Sequence, residues 1–320
     1  MLNIKIKQLK IYLNKFLKIF TKFKDIFLPG EWEIIVVKKE LELSPNMSIM
    51  NDPFIKLSSR FGYYYADPFI YKSNNKLYLI CEEFSYFKNK GSIVLFEIDL
   101  GANRILPKRL FLEENYHLSF PYIFTINNVN YLIPESSENG TINSYKIDGI
   151  FTAKKSLICD NINGVDTVLY KSGSNIFLFT TLPGDIGVDL RGQTQVFVSK
   201  CDEFPGVLWS KVPLLSDTLG RGAGNLISQN GLLYRLSQIS LRSYGEKIAV
   251  SQIEYLSSDG FKENFLFDLN PKNFGGSHIH TLNIYSNISV FDRKRVSFLG
   301  VLRTNYGRLL LRARILKNNL

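Results

Sequence analysis

Cysteine is scarce in this chain: Cys81, Cys159 and Cys201 are the only three among 320 residues, and no CxxC pair occurs. An odd, widely spaced set disfavours both a disulfide scaffold and a zinc ribbon, and makes a reducing compartment the plain reading. No uninterrupted run of about 18 apolar residues is present, so no segment reads as a membrane-spanning helix. Lysines are interspersed through the first residues, which excludes the apolar core of a signal peptide. Also missing are the GxSxG nucleophile elbow, the GxxxxGK[ST] phosphate loop, the HExxH zinc motif and a GxGxxG turn after a strand. The stretch GRGAGN at 220–225 resembles a glycine loop, but no helical pattern follows it, so a Rossmann-type nucleotide domain is not indicated.

Acidic charge is in short supply, and unevenly so. Lys and Arg total 39 against 29 Asp and Glu, a formal charge of +10. Residues 1–28 carry seven lysines and one acid, Asp25, hence +6 of that excess, and the other 292 residues carry only +4. A general basic surface is therefore absent, and with no helix-turn-helix, zinc-finger or RNA-binding signature, nucleic acid is not expected as a partner. Within 1–29, Ile6, Leu9, Leu13, Phe16, Leu17, Phe20, Phe23 and Phe27 recur at three- and four-residue steps between the lysines until Pro29-Gly30 ends the pattern. This predicts a basic amphipathic helix that lies on an anionic membrane surface, each lysine contributing roughly 1 kcal/mol there. Packing against its own domain is the alternative. Residues 304–320 form a second basic tail, helical in spacing, with Arg308, Arg312, Arg314 and Lys317 among leucines.

What is present in quantity is hydrophobic and aromatic residues, 45% and 13% of the chain, enough to build a full core. Between residues 33 and 303 helical periodicity is almost missing. Five segments instead share one grammar, a short strand, a polar turn and an aromatic-rich second strand: ADPFIYKSNNKLYLICEEF, SFPYIFTINNVNYLIPESS, VDTVLYKSGSNIFLFTTL, AGNLISQNGLLYRLSQIS and HTLNIYSNISVFDRKRV. They begin near residues 66, 119, 165, 223 and 280, and the steps of ~46–58 residues are the size of a propeller blade. Asn-Asn, Gly-Ser and Asn-Gly are hairpin-turn chemistry. The repeat predicts an all-β fold, a five-bladed β-propeller over 30–303, with the early strand EIIVVKK completing the last blade. A β-sandwich is the competing reading, and it leaves the repeat unexplained.

In a propeller the first strand of each blade lines the axis, so polar residues at equivalent positions converge on one funnel. Asp67 opens blade one and Asp166, followed by Thr167, holds the same place in blade three. Either could be a turn residue accepting backbone N–H groups, but two at one repeat position favour function, and both are expected to be catalytic together with Glu135, which follows Pro134. Glu82 and Glu83 alternate on a strand, so only one faces the axis; Glu83 is taken as the substrate-binding one. The other expected substrate-binding residues are His117, Arg221, Arg235, Gln238, His280 and Thr281. His278 and His280 have metal-ligand spacing, but with no third ligand in view no metal and no cofactor is expected. Tyr63, Tyr64 and Tyr65 could offer a sugar-stacking platform.

The segments YADPF…YLICEEF, HLSFPYIF…YLIPESS, GVDTVLY…FLFTT, RGAGNLI…LYRLSQ and HTLN resemble the propeller domain of the glucosamine inositolphosphorylceramide transferase family, over residues 60 to 285. Similar domains occur in bacterial proteins linked to surface-polysaccharide assembly, and in plant members the domain precedes a separate glycosyltransferase domain. The resemblance implies a carbohydrate-active protein, a glycosyltransferase of cell-surface polysaccharide or glycolipid assembly using an activated sugar donor and a glycan or lipid-linked acceptor, and the lysine-rich first segment independently places it at the inner face of the cytoplasmic membrane as an expectation. A non-catalytic glycan-binding propeller is the first alternative. A more distant likeness, to five-bladed furanosidases and fructosidases, offers the second. It implies that Asp67 is base or nucleophile and that Asp166 orients the sugar. Those enzymes take their acid from blade four, which has no Glu here, so the acid would have to be Glu135 or Glu83.

Overall fold

The structure is a computed structural model and describes residues 30–182, 193–206, 208–218, 220–241 and 243–318. The expected basic helix over 1–29 lies outside the described residues.

Five antiparallel sheets follow one another around a ring, as the repeat predicts. Blade two is the simplest: Ser119–Ile126, Val129–Glu135, Ile142–Asp148 and Phe151–Cys159 pair in sequence order. Blade five is built differently. His278–Tyr285 and Ile288–Arg295 are joined by Glu31–Val37 and then Phe54–Ser58, so the start of the described chain finishes the last sheet and closes the ring. Glu31–Val37 can do this because both its faces are buried. Ile35 and Val37 pack toward blade four, whereas Ile34 and Val36 pack toward blade one. An apolar run without polar alternation is the expected signature of such a strand.

The core is accordingly not one centre but a set of layers between neighbouring blades, such as Tyr71, Ile80, Ile93 and Leu95 of blade one against Leu132 and Tyr145 of blade two. The hairpin turns explain the repeated Asn. Asn74-Asn75, Asn127-Asn128 and Asn230-Gly231 have positive φ at both central residues, the geometry that matches strand twist in a two-residue loop and that Asn and Gly adopt most readily.

A second irregularity recurs on the first strands. Between Ala66↔Glu82 and Phe69↔Ile80, two residues, Asp67 and Pro68, stand opposite one. The same slip occurs at Phe120-Pro121, Asp166-Thr167 and His280-Thr281. A bulge of this kind bends the strand and re-aims a side chain. Asp67, Phe120 and Asp166 all have φ near +50° (52°, 44° and 51°), an uncommon conformation for residues other than glycine.

After the propeller, one helix, α1 (Phe298–Asn318), returns across the rim; it begins before residue 304, where the sequence pattern placed the tail. Gly300 and Gly307, two turns apart and so on one face, let it approach closely: a Cβ on Gly300 would lie 2.8 Å from Glu31 Cγ, and one on Gly307 2.5 Å from the Tyr86 ring. Arg303 pairs with Glu31 at 3.1 Å, and Arg314 donates to the Phe87 carbonyl at 2.8 Å. No helix among the described residues is long and apolar enough to cross a membrane.

Candidate functional site

The bulged strand ends bring polar groups from all five blades together. Asp67 is the centre of the first half. Its Oδ1 accepts the Thr281 hydroxyl at 2.7 Å and lies 3.1 Å from His280 Nε2, and its Oδ2 accepts the Phe120 backbone N–H at 3.2 Å. Asp292 stands behind: it takes the N–H groups of Asp67 and Thr281, both at 2.9 Å, and sits 2.9 Å from His280 Nδ1. His280 is thus held between two carboxylates, with Trp32 against its ring at a centroid distance of 4.5 Å.

The second half centres on Arg221. Its fork meets Asp166 through Nε (2.7 Å) and Nη2 (3.1 Å), and Nη2 also reaches Glu135 at 3.4 Å. Gln238 donates to Asp166 at 3.1 Å and to the Gly222 carbonyl at 2.8 Å. Arg221 is placed by backbone pairing that extends blade four beyond its first strand, from the Gln238 N–H to the Arg221 carbonyl. His117 completes the ring: its Nδ1 accepts the Gly91 N–H at 2.9 Å, so its Nε2 is the protonated nitrogen in the neutral form, and that atom lies 3.6 Å from Glu82 Oε1.

These environments push the acids in opposite directions. Burial disfavours the charge on Asp67, yet His280 and the hydrogen bonds from His280 and Thr281 outweigh it and hold the carboxyl below its ordinary value. Burial is also the largest influence on Glu82, and here repulsion from Asp67 adds to it, so Glu82 is raised well above the ordinary range. Glu82 Oε1 is buried with no hydrogen-bond partner among the described residues. Asp166 is raised to about 7, by burial first, with Glu135 and Asp67 opposing the help of Arg221. His280 is raised to about 10, because Asp292 and Asp67 overcome its burial. His117 is lowered by burial. Carboxyls shifted in opposite directions, Asp67 down and Glu82 and Asp166 up, therefore share one cluster, the arrangement that separates base from acid.

Asp67, His280 and Asp292 have donor atoms within 4.8 Å of one another, the spacing of a metal site. His280 Nε2 faces Asp67 and Nδ1 faces Asp292, the two carboxylates that strengthen its hold on a proton, so an ion at this place would have to displace that proton. His278 is not part of the group; its ring contacts Ser243 and Ser277 at 2.7 and 2.9 Å.

Of the residues expected from the sequence, Asp67, Asp166, Glu135, His117, Arg221, Gln238, His280 and Thr281 meet here. Two are elsewhere. Glu83 lies opposite Tyr65 on the far side of its strand from Glu82, bound to Lys108 at 2.6 Å and Arg60 at 3.1 Å. Arg235 is buried between blades three and four, in a fork with Glu263 (both contacts 2.6 Å) and within 3.2 Å of Thr194. The alternation of strand side chains sends both away from the cluster. The three tyrosines divide: Tyr65 is buried on Phe96, Tyr63 lies under Arg60, and Tyr64 stacks on Phe84 at 4.9 Å beside the cluster. GRGAGN also has a structural explanation. Gly224, at φ +136°, approaches blade five so closely that a Cβ would lie 2.1 Å from the Leu282 carbonyl oxygen. Trp32 and Tyr244 are contributed by parts of the chain that carry no repeat signal, whereas Asp292 lies within the fifth repeat and could have been found as the residue facing the bulge His280-Thr281.

The family profile described as "Glucosamine inositolphosphorylceramide transferase 1, N-terminal" matches residues 53–286. The protein of that name from Arabidopsis thaliana is 31% identical over 211 residues, 62% of this chain and 26% of the relative. Its namesake from Oryza sativa subsp. japonica is 27% identical over 205 residues, again 62% of this chain and 27% of the relative. The chain thus spans about a quarter of the length of these curated relatives. Among solved structures, it is similar to an exo-β-1,3-galactanase from Clostridium thermocellum (TM-score 0.52, 10% identity, 81% of this chain and 62% of that one). It is also similar to a β-1,3-galactosidase of glycoside hydrolase family 43 with galactodeoxynojirimycin (TM-score 0.51, 8% identity, 70% of this chain and 84% of that one). At these identities the likeness is one of fold.

Proposed function

The chain belongs to the family of the N-terminal region of glucosamine inositolphosphorylceramide transferase 1, and from that premise we propose that its axial cluster is a glycosyl-transfer site, taking an activated sugar donor and a glycan or lipid-linked acceptor. The observation that carries this reading is that Asp67, held by His280, Thr281 and the Phe120 N–H, and Glu82, buried 3.6 Å from His117, share one ring that pushes their acidities apart, Asp67 down and Glu82 up. In the proposed reaction Asp67 takes the proton of an acceptor hydroxyl as its oxygen bonds to the anomeric carbon. The bond from that carbon to the leaving oxygen breaks, and Glu82 and the Arg221 fork donate to oxygens that gain charge. Asp166, Glu135 and Gln238 are suited to accept and donate hydrogen bonds to sugar hydroxyls, and Tyr64 and Tyr244 offer faces for stacking.

The test is Asp67→Asn. Asn tolerates the positive φ and keeps an acceptor for Thr281, so the fold should survive, while transfer from a panel of nucleotide sugars and sugar phosphates should fall roughly 10²–10⁴-fold, the usual effect of losing a general base. Unchanged transfer in the folded variant would remove Asp67 from the mechanism. Release of free sugar from a synthetic glycoside, with no transfer, would support a glycosidase, and glycan binding that survives loss of both Asp67 and Asp166 would support a binding module. We further propose that residues 1–29 hold the protein at the inner face of the cytoplasmic membrane, on the strength of the lysine and phenylalanine pattern alone. Deleting them should abolish cosedimentation with anionic liposomes.

A further inference from the structure

α1 carries its apolar side chains on the side away from the propeller. Its glycines face inward, Gly300 against Glu31 and Gly307 against the Tyr86 ring, so the large residues that recur at steps of three and four are left outside. Phe298 is 80% exposed and Leu309 62%, and Leu302 and Tyr306 lie exposed between them on the same stripe. A surface helix ordinarily buries such a stripe in the core. The patch continues onto the propeller, where the exposed rings of Phe61 and Phe87 meet Tyr306 at centroid distances of 5.8 and 6.5 Å. The charge around it is of one sign, because α1 contains no Asp or Glu. Arg303 is paired with Glu31, but Arg312 and Arg314 are exposed, and Arg314 donates to a neutral group, the Phe87 carbonyl. Phe87 lies in the turn that follows Lys76–Ser85, the strand that carries Glu82 to the cluster, so the patch stands at the same end of the ring as the axial site.

We propose that this patch is a membrane-contacting face, with the apolar stripe of α1 lying in the interface of an anionic lipid bilayer and Arg312 and Arg314 meeting lipid phosphates. A contiguous exposed apolar patch marks an interaction site, and the arginines beside it select the partner. An anionic bilayer supplies what both parts of the patch need, an apolar layer a few ångströms deep under a layer of negative charge. Charge argues against the other occupants. Residues 1–28 carry a net charge of +6, which the arginines of α1 repel, and a second copy packed stripe to stripe would bring together two helices with no acid on either. The inference does not depend on anchoring by residues 1–29; it adds a second contact and an orientation. Under the glycosyl-transfer reading, the end of the ring that holds the cluster then faces the bilayer, where the head group of a lipid-linked acceptor lies.

The experiment is partitioning of the full chain onto vesicles of phosphatidylcholine mixed with phosphatidylglycerol and, separately, onto phosphatidylcholine alone. Wild type should bind the mixed vesicles more tightly and lose affinity as salt is added. The triple variant Phe298→Gln, Leu302→Gln, Leu309→Gln should partition about tenfold or more weakly. Arg312→Gln should weaken binding about fivefold, the equivalent of roughly 1 kcal/mol for one basic side chain at the surface. Phe151→Gln alters a residue 69% exposed at the turn that ends the third strand of blade two, away from the cluster, and should bind as wild type does. Leu309→Trp and Phe151→Trp locate the contact: brominated acyl chains should quench the first beyond the wild-type background and leave the second unchanged. Circular dichroism and Tm verify the fold of each variant, and Arg312→Gln carries the test if the triple variant does not fold. Unchanged partitioning of the folded triple variant, an unquenched Leu309→Trp, or equally tight binding to phosphatidylcholine alone would each overturn the inference. A wild-type dimer that the triple variant dissociates, with vesicle binding unchanged, would assign the patch to a second copy of the chain instead.

Discussion

Adjacent residues with the same chemistry have different work in this protein. Glu82 and Glu83 are both buried carboxylates, yet one faces the cluster 3.6 Å from His117 and the other binds Lys108 and Arg60. Glu82→Gln is nearly isosteric with a protonated Glu82, so it should leave urea unfolding unchanged while slowing transfer. Glu83→Gln should leave transfer intact and lower stability modestly. Transfer lost in Glu83→Gln and kept in Glu82→Gln would reverse this assignment. Arg235 tests the same distinction more severely. Its fork with Glu263 is almost wholly buried, and removing one member of such a pair leaves an uncompensated charge. Arg235→Ala should therefore cost about 3–5 kcal/mol in denaturant unfolding, and the double replacement Arg235→Met with Glu263→Leu should recover most of it. Asp67, Asp166 and Glu135 were legible in the sequence because they recur at or beside a repeat position. The choice of Glu83 over Glu82 was not legible, because a two-residue strand period leaves the phase to be set by the partner strand.

Strand ends, more than strands, carry the specialised chemistry. The bulges at Asp67, Phe120, Asp166 and His280 fall at the same place in four blades, and each puts a side chain where a regular ladder would not. The repeat was visible as ADP, SFP, VDT and IHT, but a bulge has no composition of its own and depends on two residues sharing one partner. Gly224 is the corresponding device in blade four. Gly224→Ala would place a Cβ 2.1 Å from the Leu282 oxygen in a region of φ that alanine avoids. Unfolding experiments should show a loss of about 1–3 kcal/mol or more, and wild-type stability would mean that blades four and five separate more easily than their hydrogen bonds suggest. Those bonds run from Leu282 N–H to the Ala223 carbonyl, and from Asn225 N–H to Asn283 Oδ1.

At the scale of the whole molecule, ring closure and proton balance act together, because the closing blade supplies His280, Thr281 and Asp292. His280 titrates near 10 when folded against an ordinary value of 6.5, so over that interval the folded protein binds the extra proton. Its stabilisation is complete below about pH 6.5 and is lost as pH rises toward 10, with a slope of about 1.4 kcal/mol per pH unit at most. Urea unfolding at pH 7.5, 8.5 and 9.5, above the value of about 7 for Asp166, should show the decline, and His280→Gln should make it shallower; a flat wild-type profile would mean that the two carboxylates do not hold the proton. By itself the sequence determined the five-bladed ring, its turns, its closing strand and the family. Those depend on hydrophobic period, turn residues and repeat length, all of which are local. Only the tertiary structure decided which carboxylates share a space, how Asp292, Trp32 and Tyr244 join them, and where the cationic helix lies. Burial and charge proximity belong to residues as far apart as Asp67 and Asp292, and neither exists until the ring is closed.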